Sequence, residues 1–137
     1  ANGDVPVGLE RDVALVKSAE IIVFVYPTWW GGLPAQLKGW LERVMLPGTA
    51  FVFNENNKVR PGLRNIRRIH IASTFGSPWL YVRLVNDNGR RILARAFRMN
   101  TSLRTKVSTS SLYAMDTATD ESRKSFLLSL EKKMGTL

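Results

Sequence analysis

Apolar positions recur along this chain with two different periods. Residues 10–18 place Val13, Val16 and the stem of Lys17 at helical steps, which predicts a helix. Residues 20–26 read Glu-Ile-Ile-Val-Phe-Val-Tyr, a continuous β-branched and aromatic run that predicts a strand buried on both faces. Pro34 suits a first helical turn, where a missing N–H costs nothing. Leu33, Leu37, Trp40, Leu41 and Val44 then form one apolar face of a helix over 34–45, which the Pro47-Gly48 pair ends. Residues 49–53 read as extended, 54–62 as a polar loop, 67–73 as a second buried strand, and 76–78 as a turn. A helix over 89–99 carries Ile92, Leu93, Ala96 and Phe97 on one side. A third strand over 104–113 shows Val107, Thr109, Ser111 and Tyr113 on one face. Asp116 or Thr117 is the expected cap of a last helix over 118–134, with Phe126, Leu127, Leu130 and Met134 as its apolar face. Residues 1–8 are rich in Gly and Pro and carry no strand pattern. Strands alternating with helices predict an α/β fold with a parallel sheet and right-handed crossovers, in one domain over 1–137.

In open α/β sheets ligands bind beyond the carboxyl ends of the strands. The loop after the first strand is therefore the first place to look for chemistry. It holds Trp29 and Trp30, flat apolar surfaces for an aromatic ring system, and Gly31 and Gly32, which let backbone approach a planar ligand.

This segment resembles the flavodoxin-like NAD(P)H:quinone oxidoreductases, also called NAD(P)H dehydrogenases (quinone). The resemblance rests on Pro27, Trp30, Pro34, Ala35, Leu37, Lys38, Gly39, Trp40, Glu42, Arg43 and Val44, followed in step by Gly48, Ala50 and Phe51. Residues 69–78 resemble the next strand and ligand loop of that family. Leu112-Tyr-Ala-Met-Asp116 with Thr119-Asp-Glu-Ser-Arg123 resembles its last strand and the opening of its last helix. The likeness covers roughly residues 10 to 137 and implies a flavodoxin-like doubly wound parallel sheet. The family's first strand, its phosphate loop and its second strand have no counterpart here, so the sheet is expected to lack its first two strands.

The resemblance implies an enzyme that passes hydride from NAD(P)H through FMN or FAD to a quinone or similar small acceptor. It implies a homodimer with sites near the subunit interface. By position, Pro27, Thr28, Trp29, Trp30 and Gly31 and the second loop Thr74, Phe75, Gly76 and Ser77 would hold the flavin. Trp79 and Tyr81 would line the nicotinamide or quinone pocket, or pack against a second subunit. Glu42 and Arg43 stand as possible dimer contacts, whereas Trp40 falls on the apolar helix face. Some relatives are ancillary subunits of potassium-efflux systems, which leaves a regulatory role open.

Charge and composition narrow the field. Residues 58–106 carry 12 basic side chains against one acid, Asp87, whereas the flanking segments are nearly balanced around the chain's net charge of +9. Such a band attracts dinucleotide phosphates, an acidic partner or nucleic acid, or is simply a solvated face. Without a nucleic-acid motif, a basic binding module is the alternative and nucleic acid is not the expected partner. A flavin-free fragment is the other alternative, because the phosphate loop is missing. No cysteine is present, which removes thiolate metal sites and a cysteine nucleophile and fits a reducing cytoplasm. No apolar run is long enough to span a membrane. His70 alternates with Ile69 and Ile71 inside a strand, so it reads as a buried sheet histidine; one histidine builds neither a zinc site nor a catalytic triad. No metal is expected, and no catalytic side chain is assigned.

Overall fold

The computed structural model describes Val5 and residues 7–137; most of the Gly/Pro-rich start lies outside them. Helix α1 (Glu10–Ser18) leads into strand β1 (Ile21–Pro27) and helix α2 (Ala35–Val44). A small hairpin follows, β2 (Phe51–Phe53) with β3 (Val59–Pro61), then strand β4 (Arg68–Thr74). Two short helices, α3 (Trp79–Leu84) and α4 (Asn88–Arg91), precede β5 (Lys106–Leu112) and the last helix α5 (Asp120–Met134). The main sheet has the order β1-β4-β5, and both pairings are parallel. Parallel neighbours require crossovers, and helices supply them.

Ile69 and Ile71 on β4, Phe24 and Tyr26 on β1, Val13 and Val16 on α1, and Leu41 and Val44 on α2 join one buried cluster. Phe24 meets Phe97 edge to face, with ring centroids 5.1 Å apart. β4 is the central strand, so both its faces are covered from Ile69 to Ser73. His70, of opposite parity to the two isoleucines, is fully buried, and its Nδ1 lies 2.8 Å from the Ser108 hydroxyl on β5. Burial, and then the positive charge of Lys133 on α5, hold its pKa below the ordinary histidine value.

Several expectations need correction. β1 is buried on one face only: Ile21, Val23 and Val25 are exposed, because among the described residues no element covers the second face of β1, which is also the edge of the sheet. Residues 54–62 are not all loop. Asn54 accepts the Asn56 and Lys58 amides on its side chain, closing a turn that returns 59–61 antiparallel to 51–53. The helix expected over 89–99 changes pitch, with a regular turn at α4, a π-helical stretch over 92–97 and a 3₁₀ turn over 98–100. The wider turn puts Leu93 and Phe97 in the core and leaves Ala96 exposed. α5 is capped by Thr119, whose hydroxyl accepts the Ser122 amide, and not by Asp116 or Thr117. Phe126, Leu130 and Met134 are half-buried on α5, whereas Leu127 points to solvent.

The open edge of β1 generates a test. An apolar edge without lysine, proline or a bulge is a template for pairing. The 137-residue chain is expected to self-associate at tens of micromolar, read by light scattering, and Val23→Lys with Val25→Lys to shift it toward monomer. A stable monomer before substitution would contradict this.

Candidate functional site

β1 and β4 run in register until Pro27 stands opposite Thr74. The ladder continues one step further, with the Thr28 amide donating to the Thr74 carbonyl at 2.8 Å. The loops after the two strands therefore leave the sheet side by side. The second is also tied to β5, since the Phe75 amide donates to Leu112 and the Ala114 amide to Ser77.

Residues 29–32 form a tight two-residue turn, in which the Gly32 amide donates to the Trp29 carbonyl at 2.8 Å. Both central residues are left-handed, Trp30 at φ 49° and Gly31 at φ 68°. Gly31 suits this conformation, whereas a tryptophan held there is strained. Trp30 stands fully in solvent at the tip of the turn.

The two loops wall a cavity of about 340 Å³. Thr28, Trp30 and Gly31 come from the first loop; Phe75, Gly76 and Ser77 come from the second. Tyr81 and Val82 of α3 close a third side, followed by Val85 and Asp87. Among the described residues, the amides of Trp30, Gly31, Gly76 and Ser77 have no acceptor. The Thr28 hydroxyl oxygen is buried without a partner. Phe75 is buried and stacks on Tyr113, with centroids 5.0 Å apart and planes 14° from parallel. The structure thus presents apolar surface, free donors and one orphaned hydroxyl around a single hollow. A planar ring system rich in acceptors, such as a flavin, fits that set of groups.

Not every expected site residue reaches this cavity. Pro27 and Thr74 end their strands, and Trp29 is exposed outside the wall. Trp79 lies in a neighbouring groove with Arg83, Arg90 and Tyr113. Glu42 is on the exposed side of α2, ion-paired with Lys38, and Arg43 is exposed beside it. Trp40 packs half-buried against the core.

Asp87 was missed as a wall of the site, although it is the lone acid in the basic stretch and sits in an Asn-Asp-Asn-Gly run. Asn86 and Asp87 are both left-handed, at φ 77° and 36°. Asp87 is buried, its carboxylate accepts the Arg90 amide at 3.2 Å, and Arg90 Nε lies 2.7 Å from its other oxygen. Tyr26 is buried nearby with an unpartnered hydroxyl. Burial, then the Asp87 charge, push its pKa well above the ordinary tyrosine value against the opposing pull of Arg90.

A family model described as "Flavodoxin-like fold" matches residues 2–98. An uncharacterized NAD(P)H oxidoreductase of Haemophilus influenzae is 36% identical over 76 residues, covering 56% of this chain and 37% of that protein. An FMN-dependent NADH:quinone oxidoreductase of Cereibacter sphaeroides is 39% identical over 62 residues, covering 45% of this chain and 31% of that protein. This chain therefore spans well under half the length of these relatives. The crystal structure of Smu.1420 from Streptococcus mutans superposes with a TM-score of 0.82 at 21% identity, over 96% of this chain and 68% of that one, and so shares its fold.

The turn over 86–89 holds the loop after β1 in place. The Asn88 amide donates to the Gly31 carbonyl at 3.2 Å, and a Cβ on Gly89 would lie 2.9 Å from the Gly32 carbonyl carbon. Gly89→Ala is expected to push the two loops apart and destabilise the fold by about 1–3 kcal/mol, read by urea denaturation. Gly39→Ala, which meets nothing within 4 Å, is the control and is expected to be neutral or slightly stabilising.

Proposed function

We propose, from the premise that this chain belongs to the family of flavodoxin-like folds, that it forms part of a flavin-dependent oxidoreductase passing hydride from NAD(P)H to a quinone-like acceptor. The observation that carries this reading is the single hollow where two parallel-strand loops bring four unpartnered amides and the orphaned Thr28 hydroxyl together. Likeness to an NAD(P)H oxidoreductase and to an FMN-dependent NADH:quinone oxidoreductase supports NAD(P)H as donor, FMN rather than FAD as cofactor, and a quinone as acceptor.

The flavin, when bound, supplies the ring that takes up hydride and gives it on; the chain supplies position and field. Trp30, Gly31, Gly76 and Ser77 offer their amides to acceptor atoms of the ring. Thr28 donates its hydroxyl. Phe75, backed by Tyr113, gives an apolar wall that excludes water, and the exposed ring of Trp30 adds apolar surface at the rim. Tyr81 stands at the mouth and lines the approach for nicotinamide or acceptor. No described side chain need act as acid or base.

A homodimer fits the exposed apolar side chains of α3 beside the site. Leu80 and Leu84 are one helical turn apart and both well exposed, so a second copy would bury them. Among the described residues no helix is long and apolar enough to cross a membrane. A cysteine-free chain fits a reducing cytoplasm.

Titration of FMN into the protein, followed by flavin fluorescence, is expected to show saturable binding. Thr28→Val is expected to weaken it about fivefold, the worth of one ordinary hydrogen bond. With FMN bound, the intact protein carrying this chain is expected to oxidise NADPH or NADH in the presence of a simple benzoquinone. Absence of both flavin binding and quinone-dependent oxidation would overturn the reading.

A further inference from the structure

We propose that the arginine-lined groove next to the loop cavity binds the phosphate-bearing adenosine half of a nicotinamide dinucleotide and prefers one carrying a 2′-phosphate. This rests on the oxidoreductase reading above. The groove measures about 550 Å³ and takes Arg83 from α3, Arg90 and Arg91 from α4, and Arg95 from the π-helical stretch. It shares Val82 and Asp87 with the loop cavity, so the two hollows lie on either side of one wall. The stacked pair Phe75 and Tyr113 crosses the same wall: Phe75 lines the cavity and Tyr113 lines the groove. With the flavin ring in the first hollow, a dinucleotide whose nicotinamide meets that ring at the shared wall could place its charged end in the second.

The charge balance of the groove calls for an anion. Asp87 is ion-paired with Arg90, whose amide donates to Oδ1 and whose Nε lies 2.7 Å from Oδ2 without the alignment of a hydrogen bond. Arg83, Arg91 and Arg95 have no carboxylate within 4.0 Å among the described residues. Guanidinium groups converging without counter-charges repel one another, and phosphate oxygens satisfy their forked donors in pairs. The groove also has a flat wall. Trp79 is half-exposed, with the Arg83 guanidinium 5.5 Å from its ring centre. An adenine beside phosphate matches an indole beside arginine. The change of pitch over 92–97 turns Leu93 and Phe97 into the core while Ala94 and Arg95 line the groove. A 2′-phosphate adds about −1.5 to −2 charge near neutral pH. Three guanidiniums beyond the one held by Asp87 favour the dinucleotide that carries that extra phosphate over the one that lacks it.

Adenosine 2′,5′-bisphosphate is the probe, titrated into the full chain and read by tryptophan fluorescence and calorimetry. Saturable binding is expected at one site per chain, weakened by salt and tighter than that of adenosine 5′-monophosphate. R91A/R95A is expected to weaken it roughly 10- to 100-fold. R83A, from a different helix, is expected to weaken it in the same direction, with circular dichroism showing all variants folded. In the FMN-loaded intact protein, R91A/R95A is expected to raise the KM for NADPH more than that for NADH. Unchanged affinity for the bisphosphate in the folded variants would overturn the proposal. Single-stranded RNA binding in place of the bisphosphate would overturn it too. Equal KM shifts for the two dinucleotides would remove the 2′-phosphate preference. If no dinucleotide is oxidised while arginine-dependent binding of the bisphosphate persists, the oxidoreductase reading falls and the nucleotide-phosphate site stands.

Discussion

The parallel ladder between β1 and β4 runs from Ile21 opposite Arg68 to Pro27 opposite Thr74, and the site depends on its register. A slip by one residue would turn Phe24 and Tyr26 out of the core and bring Val23 and Val25 in. It would also part the two loops, because the Thr28 amide could no longer reach the Thr74 carbonyl. The fit of Phe24 against Phe97, and of Ile69 and Ile71 beneath α1 and α2, therefore decides where the free amides of both loops stand. Core packing and ligand geometry are set by one choice of pairing. The central strand bears most of the burial, and the edge strand carries the more exposed loop.

The first loop needs a second support. Its turn holds Trp30 left-handed, and Asn86 and Asp87 are left-handed in the segment that docks against it. Strained residues of this kind cost on the order of 1–3 kcal/mol each and persist where their surroundings fix them. Here the fixing contacts are the Asn88 amide on Gly31, the close approach of Gly89 to Gly32, and the Asp87 carboxylate held by Arg90. Strain on both sides of one contact means that moving either loop disturbs the other. That arrangement suits a cavity whose donors must stand still before a ligand arrives.

Long apolar runs carried most of what could be read from the chain. Residues 20–26 and 67–73 announced the two paired strands, and the glycines and tryptophans after the first marked one wall of the cavity. Parity inside β1 was not legible, because whether a strand is covered on its second face depends on its neighbours and not on its own residues. The hairpin over 51–61 hid in polar residues, since its turn is closed by the Asn54 side chain and not by an Asn-Gly signal. The π-helical stretch broke the helical period that placed Ala96 in the core. Asp87 was visible as the lone acid in a basic stretch, but its place in the wall follows from a left-handed turn that the residues flanking it do not announce.

The basic stretch itself divides once each side chain is followed to its partner. Arg67 reaches Glu20 at 3.6 Å across the surface, an exposed pair worth little. Arg68 donates to the Thr136 carbonyl and ties the chain's end to the sheet. Arg98 donates to the Thr105 and Leu103 carbonyls and closes the connection into β5. Arg90 serves Asp87. Arg68, Arg90 and Arg98 spend their donors on the fold, and replacing any of these three would be felt as stability. Arg83, Arg91 and Arg95 do no such work, yet three separate positions along the chain converge on one groove beside the loop cavity. A face that was merely solvated would keep such charges apart, because their mutual repulsion falls with distance and nothing in the fold requires them to meet. Among the described residues Lys58, Arg60, Arg64, Arg104 and Lys106 also lack a side-chain partner, but only Arg83, Arg91 and Arg95 share a groove that borders the hollow where the flavin-like ring is proposed to sit.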